Sequence, residues 1–135
     1  MTPFSLKIVT PDGSVFDGQV EEVVVRTTSG DLGIQAGHIS CVAPLGMGLA
    51  TIIVDGVKRY AACIGGMVSV LNSQVRIVAT TFEWADQIDI GRAEASEQKA
   101  QKILADKSAS EADLRMAEAR LKRALVRKGV ASRIK

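Results

Sequence analysis

Histidine occurs once in this sequence of 135 residues, cysteine twice and proline three times, and aromatic residues make up 4% of it. A metal site built from cysteine and histidine needs clustered ligands. Here Cys41 and Cys63 lie far apart in apolar runs, no CxxC occurs, and His38 stands alone, so no metal is expected. The two cysteines are expected as free thiols of the core. No stretch approaches the roughly 18 apolar residues that span a bilayer. The start, Met1-Thr2-Pro3-Phe4-Ser5-Leu6-Lys7, lacks the basic and apolar regions of a signal peptide, so a cytosolic or equivalent compartment is expected. No catalytic constellation is visible either. His38 has no Ser or Cys nucleophile in a known context and reads as a turn or packing histidine. A phosphate loop of the GxxxxGK[ST] type is missing. Acidic residues before the C-terminal part are scattered and read as solvated surface. An enzyme is therefore not expected.

What is present is the composition of a folded protein, 47% hydrophobic and 24% charged. The net charge of +2 is unevenly placed, with a balance of −3 over residues 1–88 and +5 over residues 108–135. A basic end of this kind seeks an acidic partner. A nucleic-acid-binding module using the basic last helix is the alternative reading. It is the weaker one, because the basic residues carry no interleaved aromatics and the front of the chain is acidic.

Near residue 86 the hydrophobic period changes. Before it, apolar residues alternate or come in short bursts cut by turns. Phe4, Leu6 and Ile8 mark a first strand, ended by Thr10-Pro11-Asp12-Gly13. Val20 to Thr27 reads as a second, and Ser29-Gly30-Asp31-Leu32-Gly33 as a loop. Gly48–Val54 and Val57–Ile64 flank Asp55-Gly56, the strongest hairpin signal in the chain. Met67–Leu71 and Gln74–Thr81 flank Asn72-Ser73. The pattern predicts an antiparallel β-sandwich over residues 1–86, small but viable. Residues 87–135 then predict an α-helical hairpin. Its first helix starts at Asp86 or Asp89, and Ile90, Ala93, Ala100, Ile103 and Leu104 recur at helical spacing. Ser108 and Ser110 break and restart the helix, with Ser108–Glu111 or Ser110–Asp113 as the capping pair. Leu114, Ala117, Leu121 and Leu125 form one stripe of the second helix, and Gly129 suits its C-terminal cap. Small alanines let two such helices approach closely. Neither apolar stripe is wide, so the pair is weakly held and able to open. The border at residue 86 then reads as the hinge of a switch.

One cluster bears on chemistry. In an antiparallel hairpin Arg123 and Arg127 approach Arg92 and Asp89, and several converging guanidiniums call for an anion such as phosphate. Spacing alone favours a solvated basic face with Asp–Arg pairs.

Several segments, in order, resemble the epsilon subunit family of bacterial F-type ATP synthases: Thr10-Pro11-Asp12-Gly13; Ser29 to Ile34 with Gly37-His38-Ile39 and Ala43-Pro44-Leu45; Ile64-Gly65-Gly66; Ile88-Asp89-Ile90-Gly91-Arg92-Ala93; and Leu121-Lys122-Arg123-Ala124. The resemblance implies a β-sandwich followed by a helical hairpin, in a non-catalytic rotor subunit of a proton- or sodium-translocating complex. It implies partners: the gamma subunit and the c-ring for the β-domain, and the alpha and beta subunits when the helices extend. It implies inhibition of ATP hydrolysis through Arg115, Arg120, Lys122, Arg123 and Arg127. No cofactor is required, but ATP is implied as a regulatory ligand, because in some members it binds the folded hairpin. Matched residue by residue, that site comprises Glu83, Ile88, Asp89, Arg92, Ala93, Lys99, Arg123 and Arg127. Lys99 stands where nucleotide-binding relatives often have Arg, which turns a bidentate contact into a point charge. Gly91 loosens the helix start by at most about 1 kcal/mol relative to Ala. Gln35-Ala36 replaces the usual Leu-Pro before Gly37. The implied location is the cytoplasmic face of the membrane, peripheral, through the complex alone.

Overall fold

The computed structural model describes residues 2–134. Contacts divide the chain between Trp84 and Ala85 into two units, and at that point the backbone passes from strands to helices.

The first unit has eight strands: β1 (Phe4–Thr10), β2 (Gly13–Val20), β3 (Glu22–Thr27), β4 (Gly30–Ile34), β5 (Cys41–Pro44), β6 (Met47–Val54), β7 (Val57–Leu71) and β8 (Gln74–Trp84). They pair in the order β2-β1-β8-β7-β6-β3-β4, with β5 also on β7. Among the described residues only the β1–β8 pair is parallel. The path folds over so that β2 returns against β6. The inward side chains, among them Leu6, Ile8, Val23, Val25, Ile52, Val68 and Ile77, close into one core between the layers of a sandwich.

Turn chemistry sets the two hairpins. Asp55 and Gly56 have φ of 51° and 76°, and Asn72 and Ser73 have 50° and 64°, the left-handed pair that a two-residue type I′ turn requires. A Glu21 carboxylate oxygen accepts the Gly56 N–H at 2.6 Å and holds the first turn.

Three expectations need correction. Ser29 to Gly33 is not a loop: Gly30–Ile34 is strand β4, paired with β3 from Val23↔Ile34 to Thr27↔Gly30. Val20 to Thr27 is not one strand, because Val20 ends β2 and β3 begins at Glu22. Val57–Ile64 and Met67–Leu71 are not two strands but one of 15 residues. Gly65 and Gly66, at φ of 71° and 113°, bend β7 without ending it. Up to Ile64 it pairs with β6, and from Met67 with β5. The bend is held by the Gly65 N–H donating to the Gly46 carbonyl at 3.0 Å and the Leu45 N–H donating to that of Gly66 at 2.9 Å. A Cβ on Gly66 would overlap the Val78 carbonyl oxygen. The cysteines also differ from each other. Cys63 is buried in the core and its thiol is pushed up to about 12 by desolvation, which leaves it unreactive. Cys41 is only partly buried, at the margin of that core.

The second unit begins with a 3-10 turn, Ala85–Gln87, followed by α1 (Ile90–Ala105), α2 (Glu111–Ala131) and a second 3-10 turn, Ser132–Ile134. Of the two candidate starts, Asp89 is the cap: its carboxylate accepts the Arg92 N–H at 3.1 Å. Asp86 lies in the 3-10 turn. The second cap is Ser110, whose hydroxyl accepts the Asp113 N–H at 3.1 Å. Between the helices, the Asp106 carboxylate accepts the Ser108 hydroxyl at 2.7 Å and the Ser108 N–H at 2.9 Å.

The helices pack as an antiparallel hairpin, and the two 3-10 turns meet at its open end. Ala93 and Ala100 of α1 and Ala117, Ala124 and Ala131 of α2 are each at most 3% exposed. Each such methyl contributes only about 0.8 kcal/mol on burial. Leu125, expected on the buried stripe, is 50% exposed. The alanine positions, which allow the closest helix approach, take the seam instead. Gly129 is not a cap either. Val130 and Ala131 are buried, which carries α2 past the glycine, and the Ser132 hydroxyl donates back to the Gly129 carbonyl at 2.7 Å.

Candidate functional site

On the hairpin, each basic residue is placed by the alanine seam. Arg115 and Lys122 each stand two positions before a buried alanine, Ala117 and Ala124, which turns them to the far side of α2. Both are exposed. Arg120, Arg123 and Arg127 recur at spacings of three and four on one flank of the seam and are half-buried. The five basic residues implied as inhibitory therefore lie on two different faces.

Arg120 and Arg123 form the basic end of a half-open groove of about 600 Å³ in the crease between the helices. Ile103, Met116 and Ala117 supply its apolar lining, and Asp106 and Asp113 its acidic end near the turn. Two hydrogen bonds from Ser108, side chain first and then backbone, hold the Asp106 carboxyl below its ordinary range. On α1, Lys99 and Arg92 precede Ile103 by four and eleven residues, on the same stripe of the helix. The flank that carries the groove thus continues past Lys99 and Arg92 on one helix and past Arg127 on the other. Both Lys99 and Arg92 are exposed.

The remaining implied ligand-site residues occupy distinct settings. Asp89 caps α1 and is tied to Arg92 through that residue's backbone N–H. Ala93 belongs to the seam, its N–H donating to the Asp89 carbonyl at 3.1 Å. Ile88 is buried between the first 3-10 turn and α1. Glu83 is a half-buried residue of β8 in the first unit, opposite Ala62. The hairpin thus gathers Arg120, Arg123 and Arg127 with the stripe of Arg92 and Lys99 on one flank. A cationic flank with planar, fork-shaped donors suits an anion.

On the first unit the structure reveals a surface that the sequence reading missed. Pro44, Met67, Val78 and Val9 stand directly opposite one another across β5, β7, β8 and β1. All four side chains lie on the outer side of the layer. Met67 is 43% and Val78 46% exposed, with Val42 and Leu71 on the same side more exposed still. An apolar row in register on the outer face of a sheet marks a contact surface rather than a solvated one. The available signal was weak: Val9, Met67 and Val78 are apolar at strand positions where alternation calls for polar residues. Their alignment depends on pairing between distant strands.

Two family models match the chain in sequence: the β-sandwich domain of the ATP synthase delta/epsilon chain over residues 3–85, and the long alpha-helix domain of the same chain over residues 86–131. The ATP synthase epsilon chain of Bacillus pumilus is 43% identical over 133 residues, covering 98% of this chain and 100% of the relative. That of Bacillus velezensis is 44% identical over 131 residues, covering 97% and 98%. Among solved structures, a chain of the Euglena gracilis mitochondrial ATP synthase assembly of OSCP, F1 and c-ring shares the fold with a TM-score of 0.84 at 21% identity, covering 96% of this chain and 81% of that one.

Proposed function

Because the chain belongs to the ATP synthase delta/epsilon family, with the β-sandwich and long-helix domains in order, we propose that it is a non-catalytic central-stalk subunit of an F-type ATP synthase. Its β-unit anchors it to the gamma subunit and the c-ring. Its hairpin restrains ATP hydrolysis by reaching the alpha and beta subunits in an extended form. The subunit is peripheral, at the cytoplasmic face of the membrane, in a complex that translocates protons or sodium ions. No helix of the described residues is long and apolar enough to cross a membrane.

One contrast carries this reading. The β-unit exposes an uncharged row, Pro44, Met67, Val78 and Val9, whereas the hairpin aligns Arg120, Arg123 and Arg127 on one flank. An apolar row supports a lasting contact. A cationic flank supports a contact that an anion can regulate. The proposed anion is ATP, held on the closed hairpin by Asp89, Arg92, Lys99, Arg123 and Arg127 beside Ile88 and Ala93. Binding to the closed form alone shifts the population toward it and away from the extended form.

Met67→Glu with Val78→Glu tests the anchor. Both side chains are exposed in the free chain, and two like charges on directly opposite residues cost at most about 1 kcal/mol, so the fold tolerates the change, while charge on the row opposes docking. The expected result is a folded variant absent from the purified complex. Normal recovery of that variant with the complex refutes the anchor. Titration calorimetry with ATP tests the regulatory ligand, with Arg92→Ala and Arg123→Ala as weakened variants. No heat at millimolar ATP refutes it.

A further inference from the structure

Beside the alanine seam runs a second repeat. On α1, Ile90, Glu97 and Leu104 are spaced by seven, and on α2 so are Leu114, Leu121 and Lys128. The alanines repeat at the same interval, Ala93 with Ala100 and Ala117 with Ala124 and Ala131. A seam that repeats every seven residues looks nearly the same after a slip of one heptad, about 10 Å along the axis. Apolar packing alone therefore leaves its register poorly defined. Two charged residues interrupt the repeat, and they meet: Lys128 Nζ donates to a Glu97 carboxylate oxygen at 2.7 Å. The Glu97 side chain is only 17% exposed. Its bond to Lys128 is the first cause holding that ammonium above its ordinary range.

We infer that the Glu97–Lys128 pair is the key that selects one closed register of the hairpin from the alternatives the heptad repeat allows. Glu97 lies between Ala93 and Ala100, and Lys128 between Ala124 and Ala131. Joining the two charges brings Ala93 toward Ala131 and Ala100 toward Ala124 in an antiparallel pair. In the slip of one heptad that keeps two alanine pairs, Ala93 with Ala124 and Ala100 with Ala117, Lys128 would face Ile90, and Glu97 would lose its partner. A largely desolvated charge without its partner is costly, whereas the apolar contacts are nearly conserved. The pair thus acts more through the states it excludes than through the stability it adds. The hydrogen-bonded turn between Asp106 and Ser110 is the competing source of register, and it remains unchanged in the variants below. The inference does not depend on anion binding or on any partner subunit.

Disulfide trapping in the full chain, with Cys41→Ser as background, reads the register. Ala100→Cys with Ala124→Cys reports the native alignment, and Ala100→Cys with Ala117→Cys a slip of one heptad. With the native pair present, only the first should close. In Glu97→Leu with Lys128→Leu the hairpin stays shut, and the slipped disulfide should rise at least tenfold. The charge swap Glu97→Lys with Lys128→Glu should return trapping to the native pair. Lys128→Leu alone leaves the Glu97 carboxylate, whose side chain is 17% exposed, without its partner and should speed hydrogen exchange in both helices by about tenfold, with the β-unit unaffected. Native trapping alone in the doubly apolar variant would mean that the turn sets the register, and would overturn the inference. Unchanged exchange in Lys128→Leu would overturn it equally.

Discussion

Replacing Gly129 by alanine separates two incompatible structures by the sign of a single stability change. As a C-terminal cap, Gly129 would adopt the left-handed conformation, and alanine would cost about 1–2 kcal/mol there. In the structure Gly129 lies inside α2, is exposed, and offers an added Cβ no neighbour within 4 Å. The substitution then meets no clash, removes the backbone freedom of glycine, and gains about 1 kcal/mol of helix stability. That energy corresponds to about a fivefold slowing of exchange for amides that open by local fraying. The effect should be confined to the last two turns of α2, around Arg127 to Ser132. Residue-resolved hydrogen exchange on the full chain measures it, with the β8 amides as an internal standard. Faster exchange in those turns, or a change spread through both units, would refute the placement of Gly129 within the helix.

Ser73 has a φ of 64°, a conformation that glycine adopts without strain, so Ser73→Gly should raise the stability of the β-unit by about 1 kcal/mol in thermal unfolding. The Lys128 ammonium is held above its ordinary 10.5 chiefly by the Glu97 hydrogen bond. A raised folded value gives stability that is complete below the unfolded one and lost as pH rises through the folded one. Hairpin protection should therefore be level from neutral pH to about pH 10 and fall above it, with no such fall in Lys128→Gln. Asp106 is shifted the other way, below 3.8, so its contribution to the turn is present above that value and lost on acidification below it. Nuclear magnetic resonance of the turn amides should show that loss.

The features legible in the sequence were those set by neighbours in the chain. Asp55-Gly56 and Asn72-Ser73 marked their turns because left-handed backbone must be encoded locally. Ser110 and Asp89 marked helix starts for the same reason. The misread segments depend on distant partners. Ser29 to Gly33 looks like a loop until β3 pairs with Gly30–Ile34. Val57–Ile64 and Met67–Leu71 look like two strands until the Gly46 carbonyl and the Leu45 N–H bridge the bend at Gly65-Gly66. Gly129 looks like a stop until burial of Val130 and Ala131 carries the helix past it. The spacing of Arg120, Arg123 and Arg127 was visible from the start, but which flank faced α1 was not. The alanines, the weakest apolar signal on α2, decided that. The apolar row of the β-unit was hidden because its four members come from four strands.

ATP hydrolysis by the catalytic head, measured with and without this chain, tests the division into an anchoring unit and a restraining hairpin. The account predicts that the native chain lowers the rate. The full-length variant Arg120→Gln, Arg123→Gln, Arg127→Gln should assemble equally well and leave the rate nearly as high as in the absence of the chain. Equal inhibition by the native chain and this variant would contradict it.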